Sequence, residues 1–75
     1  MQSVQFQLRD EFIELHKLLK IAGVCESGGA AKTLVASGTV RVDGKPELRK
    51  ACKIRAGQII QTQAGCIAVL PPAME

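Results

Sequence analysis

Gly38 divides the centre of this chain into a segment with helical spacing and a segment with strand spacing. Before Gly38, small and apolar residues recur at helical intervals behind Ser27, and serine is a favoured helix N-cap. After Gly38, apolar and polar residues alternate over residues 39–43, which predicts a strand, and Asp43-Gly44 predicts a hairpin turn. The chain must therefore fold with a helix that leads directly into a hairpin.

An alternating segment and a helical segment precede this unit. Val4, Phe6 and Leu8 alternate with polar residues, which predicts a strand with one buried face. Apolar residues recur at helical spacing up to Ala22, and acidic residues at positions 10 and 11 suit the positive end of a helix dipole. These features predict a first helix over about residues 10–22, ended by Gly23 in the left-handed conformation.

The segment after the hairpin predicts two more strands. Residues 58–63 and 66–70 are rich in β-formers, and a turn at Ala64-Gly65 would join them. Pro46 cannot donate a ladder hydrogen bond, so it restricts its own segment to a sheet edge or to irregular backbone. The predicted fold class is α+β: two helices packed on a small, mainly antiparallel sheet, in a single domain spanning residues 1–75.

The net charge of +3 is unevenly distributed along the 75 residues. Residues 1–26 carry three basic against four acidic side chains, whereas residues 27–75 carry seven basic against three acidic side chains. This basic second part predicts an anionic partner. The only aromatic residues are two phenylalanines, which argues against binding of single strands by base stacking.

The cysteines and the histidine give no sign of a metal site or a catalytic site. Cys25, Cys52 and Cys66 are odd in number and widely spaced, without a CxxC pair, and His16 is distant from them in sequence. Free thiols are typical of a reducing cytoplasm. We therefore expect no metal, no cofactor and no enzymatic activity, and the sequence also lacks a recognisable signal peptide or membrane-spanning stretch.

A run of basic residues follows the helix that begins after Ser27. Its members share one short stretch of sequence and are Arg41, Lys45, Arg49, Lys50, Lys53 and Arg55. Gly28 and Gly29 leave the backbone N–H groups at the helix start bare, which suits an anion, and Lys32 lies one turn further on. We predict that these elements bind a phosphate backbone.

Residues from about 13 to 60 resemble the alpha-L RNA-binding motif, the S4-like RNA-binding domain. The resemblance rests on apolar residues of the first helix, on Ser27 with Ala31-Lys32, on residues 38–45 and on residues 57–60. The overall length and the segment at 49–54 are similar to the small standalone bacterial members of this family, the YbcJ type. In one departure, Gly28 and Thr33 stand where many members carry basic residues.

The resemblance implies a cytoplasmic bacterial protein that binds structured RNA, ribosomal or transfer RNA. The further partner expected is the ribosome or an RNA-processing protein, and the expected oligomeric state is a monomer. The predicted RNA-binding residues are Ser27, Gly28, Gly29, Lys32, Arg41, Lys45, Arg49, Lys50, Lys53 and Arg55. An alternative function is a protein–protein adaptor that uses the sheet edge and the acidic first helix. A ubiquitin-like sulfur carrier is not expected, because the last residues lack a Gly-Gly pair.

Overall fold

A computed structural model describes residues 2–73, apart from the side chain of Gln2. Within that range the chain forms two helices and seven strands. In chain order they are β1 (Gln2–Gln7), β2 (Ile13–Glu14), α1 (Leu15–Ile21), α2 (Gly28–Ala36), β3 (Arg41–Val42), β4 (Lys45–Pro46), β5 (Lys53–Ile54), β6 (Ile59–Thr62) and β7 (Gly65–Leu70). Neither helix of residues 2–73 is long and apolar enough to cross a bilayer.

The strands form a five-stranded sheet in the order β1-β7-β6-β3-β4 and a separate two-stranded sheet of β2 and β5. In the larger sheet, β1 runs parallel to β7 and the other neighbours are antiparallel. The predicted α+β class with a mainly antiparallel sheet is therefore confirmed. Pro46 lies on the edge strand β4, as the missing N–H donor requires.

An aliphatic core fills the space between the helices and one face of the sheet. The two helices contact each other, and α2 brings the small residue Ala31 to the core, which permits close approach. The fully buried side chains come from both helices, from the strands and from the connection before β3, and the largest are Leu15, Leu18, Leu19, Val35, Val40, Ile54, Ile60 and Ile67. This core fixes which faces of α2 and of the sheet remain available.

The first helix is shorter than its apolar spacing predicts. It spans Leu15–Ile21, so the prediction of a helix from residue 10 is wrong, and neither Asp10 nor Glu11 lies in its first turn. Ile13 and Glu14 instead form strand β2, which pairs with β5. A tertiary strand pairing has overridden the local helical pattern over these residues. Gly23 does follow the helix in the left-handed conformation, with φ of 83°.

The predicted second helix and hairpin are both present. The Ser27 hydroxyl accepts a hydrogen bond from the Ala30 N–H at 3.1 Å, which makes Ser27 the N-cap of α2. Asp43 and Gly44 both have positive φ, 53° and 85°, as a type I′ hairpin turn requires. The strand expected over 58–63 is observed as β6, and Gly65 belongs to β7 rather than to the turn.

Candidate functional site

A groove of about 1020 Å³ lies between α2 and the polypeptide that follows the hairpin. One wall is formed by Lys32, Thr33 and Ala36, which α2 presents on one side because Ala36 lies about one turn beyond the adjacent Lys32 and Thr33. Residues 48–53 and Arg55 form the opposite wall. We call residues 49–55 the basic segment. The groove therefore brings together five of the predicted site residues, namely Lys32, Arg49, Lys50, Lys53 and Arg55.

The start of α1 holds the basic segment in place. The Leu15 N–H donates to the carbonyl oxygen of Cys52 at 2.9 Å, and the His16 N–H donates to the carbonyl oxygen of Lys50 at 3.0 Å. The His16 ring nitrogen Nδ1 lies 2.7 Å from the same Lys50 oxygen. These carbonyls satisfy helix N–H groups that Glu14, the N-cap residue, does not cap with its side chain.

Pairing between β2 and β5 fixes the direction of the side chains in the second half of the basic segment. Ile54 lies opposite Ile13 and is fully buried, whereas its neighbour Lys53 is exposed and lies opposite Glu14. Because successive strand residues point to opposite faces, burying Ile54 directs Lys53 toward solvent. A core contact therefore orients a groove cation.

The ring of Phe12 supports the two last cations of the groove. The Lys53 Nζ lies 5.0 Å from the ring centroid and the Arg55 guanidinium carbon lies 5.7 Å from it. Both distances are within the range of a cation–π interaction. Phe12 falls within the helix predicted over about residues 10–22, and no local pattern links it to Lys53 or Arg55.

Arg49 differs from the other groove cations because it has an acidic partner. Its Nε and backbone N–H each donate to Glu47 Oε2 at 3.0 Å, and a second guanidinium nitrogen donates to Oε1 at 3.3 Å. These hydrogen bonds lower the pKa of Glu47 to about 2. Among the described residues, the side chains of Lys32, Lys50, Lys53 and Arg55 form no salt bridge with an acidic group. The groove therefore has a net positive field.

The amino end of α2 lies one turn beyond the groove. Gly28 and Lys32 are four residues apart on the helix, so they share a stripe of its surface. Beyond the neighbouring residues and the backbone of the helix itself, a Cβ atom built on Gly28 would meet no atom within 4 Å, and one on Gly29 would meet the Ser27 hydroxyl at 3.9 Å. The helix start is thus open to solvent, but Ser27, Gly28 and Gly29 do not line the groove itself.

The two hairpin cations are not brought into the groove. Arg41 is exposed and pairs across the sheet with Gln61, on the face away from the core residue Val42. Lys45 lies opposite Val42 and therefore on the other side of the sheet from Arg41. The structure thus separates Arg41 and Lys45 from each other and from the groove.

Asp43 has a positioning contact that the hairpin signal alone does not predict. Its Oδ1 accepts from the Ile59 N–H at 3.0 Å, and its Oδ2 accepts from the Gln58 side-chain amide at 3.3 Å. The side-chain oxygen Oε1 of Gln58 in turn accepts from the Arg55 backbone N–H at 2.6 Å. This relay joins the hairpin to the end of the basic segment.

The three cysteines are free thiols, and each is half-buried. Burial raises the pKa of the Cys25 and Cys52 thiols, so neither is an activated nucleophile. Within residues 2–73 no group of histidine, cysteine and acidic side chains has the arrangement of a metal site.

A helix pair beside a small sheet, with a cationic groove along the second helix, makes this a small α+β domain with a basic surface groove. Residues 6–70 match the S4 domain family, and this chain belongs to that family.

Two bacterial relatives and one solved structure are similar over most of the chain. The chain is 47% identical over 58 residues to YbcJ of Escherichia coli (strain K12), covering 77% of this chain and 83% of YbcJ. It is 34% identical over 53 residues to RlbA of Bacillus subtilis (strain 168), named a probable ribosome maturation protein, covering 71% of this chain and 75% of RlbA. The solution structure of Escherichia coli YbcJ, described as revealing an alpha-L motif involved in RNA-binding, matches with a TM-score of 0.72 and 41% identity over 93% of this chain and 90% of that chain.

Proposed function

We propose that this protein binds structured RNA without catalysing a reaction, through the groove between α2 and the basic segment. The observation that carries the proposal is the convergence of Lys32, Lys50, Lys53 and Arg55 on one groove without acidic partners among the described residues. Unpaired cations on a surface favour an anionic polymer, because each phosphate that they neutralise releases condensed counterions. The S4 domain match and the RNA-binding description of the YbcJ structure support this function.

The way in which the cations are held favours recognition of RNA shape over sequence. The basic segment is tied through its carbonyl groups to Leu15 and His16 of α1, so its backbone is ordered before any ligand arrives. Lysine and arginine side chains with phosphate partners fix position and orientation but do not distinguish bases. A groove of this kind suits the phosphate spacing of a duplex or a junction. The glycine N–H groups at the start of α2 would add a further phosphate contact.

The proposed ligand class is ribosomal or transfer RNA, and the proposed site of action is the cytoplasm, as a single domain over residues 1–75. The name of RlbA, a probable ribosome maturation protein, supports a connection with ribosomal RNA. Within the proposed surface, Lys32, Lys50, Lys53 and Arg55 carry the main contacts, and Arg49 contributes less because Glu47 holds its guanidinium. Ser27, Gly28 and Gly29 extend the surface, and Arg41 and Lys45 are its outlying members.

A salt titration of binding tests the proposal. The probes are a structured RNA hairpin, a DNA duplex of the same sequence and the single-stranded RNA. We expect the RNA hairpin to bind most tightly, with the logarithm of affinity falling linearly with the logarithm of salt concentration, by about 0.7–0.9 per neutralised phosphate. Equally weak binding to all three probes would contradict the proposal and would favour the protein–protein adaptor.

A further inference from the structure

The two edges of the five-stranded sheet are built in opposite ways. At one edge, β4 is only Lys45–Pro46, and a lysine, a proline and short length are devices that prevent a further strand from adding. At the other edge, β1 is six residues long and contains neither a charged residue nor a proline. The β1 edge is therefore left open to pairing.

The hydrogen bonds between β1 and β7 determine which backbone N–H and C=O groups of β1 face away from the sheet. The Leu8 N–H donates to the Leu70 carbonyl oxygen at 3.0 Å, so Leu8 and the even-numbered residues before it direct their backbone groups toward β7. Ser3, Gln5 and Gln7 alternate with them and direct their N–H and C=O groups outward. Among the described residues no other strand pairs with this side of β1.

Val4 shows that the core is incompletely covered at this edge. Its side chain lies on the same face of β1 as Phe6 and the buried Leu8, yet 38% of Val4 is exposed. By contrast Ile67, which pairs with Val4 on the neighbouring strand, is 1% exposed. A further strand beside β1 would cover Val4 with apolar surface.

We propose that β1 pairs with β1 of a second copy of this chain, in an antiparallel arrangement about a two-fold axis at Gln5. Gln5 then lies opposite Gln5 of the second copy, and Ser3 lies opposite its Gln7, as hydrogen-bonded pairs. Between them, Val4 lies opposite Phe6 of the second copy, and such non-hydrogen-bonded pairs have the closest side chains. The two five-stranded sheets become one continuous sheet.

Self-pairing is favoured because this register is complementary to itself. The outward N–H and C=O groups meet equivalent groups, the apolar Val4 meets an apolar ring, and residues 2–7 bring no like charges together. The two-fold axis is compatible with the isologous contact of most homodimers. The inference is independent of the proposed function, since the groove residues lie on α2 and the basic segment. It replaces the monomer that the sequence alone suggests.

Sedimentation equilibrium over protein concentrations of roughly 10 μM to 1 mM tests the proposal, because one added strand pair is a small interface. The average mass of the wild-type protein is expected to rise from that of one chain toward twice that value. Gln5→Pro removes an outward N–H at an edge position where proline is tolerated, and Val4→Lys places a charge at the interface. Each is expected to weaken self-association at least tenfold.

Ile59→Lys is the matched control, because Ile59 is 46% exposed on β6, two strands away from the edge. This variant is expected to dimerise like the wild type, and circular dichroism verifies that each variant is folded. In a mixed sample of isotope-labelled and unlabelled wild-type chains, nuclear Overhauser effects between Val4 and Phe6 of different copies are expected. A wild-type mass of one chain at every concentration would overturn the proposal, as would dimerisation of folded Val4→Lys at wild-type strength.

Discussion

The basic segment and the β3–β4 hairpin are both short and carry exposed cations, but they differ in where those cations point. In the basic segment, contacts with α1 and β2 fix the backbone, and Lys50, Lys53 and Arg55 converge on one groove. In the hairpin, the strand pairing places Arg41 and Lys45 on opposite sides of the sheet. Lysine and arginine side chains therefore produce a concentrated positive field in the basic segment, but two isolated charges in the hairpin. A candidate phosphate site is therefore distinguished from an ordinary solvent-exposed surface by cations that face the same groove, and not by the number of cations.

The largest expected difference between the two regions concerns their contribution to stability. Ile54 of the basic segment is fully buried, so Ile54→Ala is expected to lower the free energy of unfolding by about 2–5 kcal/mol. Lys45 of the hairpin is exposed, and Lys45→Ala should change the free energy of unfolding by less than about 0.5 kcal/mol. Urea denaturation measures both values. Similar effects of the two substitutions would show that β5 does not anchor the groove to the core.

The next effect concerns RNA affinity. Lys50→Ala combined with Lys53→Ala is expected to weaken binding to an RNA hairpin roughly 10- to 100-fold, since each lost hydrogen bond from a charged group removes about 1 kcal/mol or more. The salt slope should decrease by about two, one for each lost phosphate contact. Filter binding or fluorescence anisotropy at several salt concentrations measures both. If the folded double variant binds as tightly as the wild type, the groove is not the RNA site.

Phe12→Leu should have an intermediate effect on binding. Removing the ring releases Lys53 and Arg55 from their support, and an exposed cation–π contact contributes about 0.5–1 kcal/mol. We expect affinity to fall roughly two- to fivefold. The salt slope should remain unchanged because the charges are retained. A decrease in slope equal to that of Lys53→Ala would instead mean that the cations no longer reach the RNA.

The matched hairpin variant, Arg41→Ala with Lys45→Ala, removes the same charge as the groove double variant. Because neither side chain lines the groove, affinity should fall less than about threefold and the salt slope by less than one. The same anisotropy titration measures the change. A loss as large as that of the groove variant would remove the distinction between the two regions and extend the RNA site over the sheet edge.

The smallest effect is a pH dependence at the junction of the two regions. Arg49 lowers the pKa of Glu47 to about 2 from an ordinary value of 4.5. The pair therefore stabilises the fold fully above pH 4.5 and loses this contribution as the pH falls toward 2. The stability difference between the wild type and Glu47→Gln, followed by urea denaturation, should disappear over that range. It should be small, since Arg49 is 79% exposed.

Local pattern was sufficient to predict the elements whose signals lie within a few residues. The Ser27 cap, the turn at Asp43-Gly44 and the edge position of Pro46 each depend on the chemistry of one or two residues. The extent of the first helix was not predictable in this way. Residues 13–14 leave the helical pattern because residues 53–54 pair with them, and no local spacing reports that contact.

The sequence was sufficient to predict which basic residues are candidates for the site, but not which of them lie together in the structure. The sequence places Arg41 and Lys53 in one basic run, and only the sheet register shows that Arg41 points away from the core while Lys53 faces the groove. The support from Phe12 depends on a fold that brings the two chain segments together. The sequence alone gives the charge of each residue, whereas the fold decides which charged side chains face the same groove.

The parallel pairing of β1 with β7 has a consequence for synthesis of the chain. The first strand described pairs with the last one, so during translation β1 has no partner in the sheet until residues 65–70 have left the ribosomal tunnel. The residues that line the groove, between Lys32 and Arg55, and the supporting Phe12 emerge earlier. On the nascent protein the groove can assemble while the sheet still lacks its β1 edge, and the sheet is completed when β1 pairs with β7.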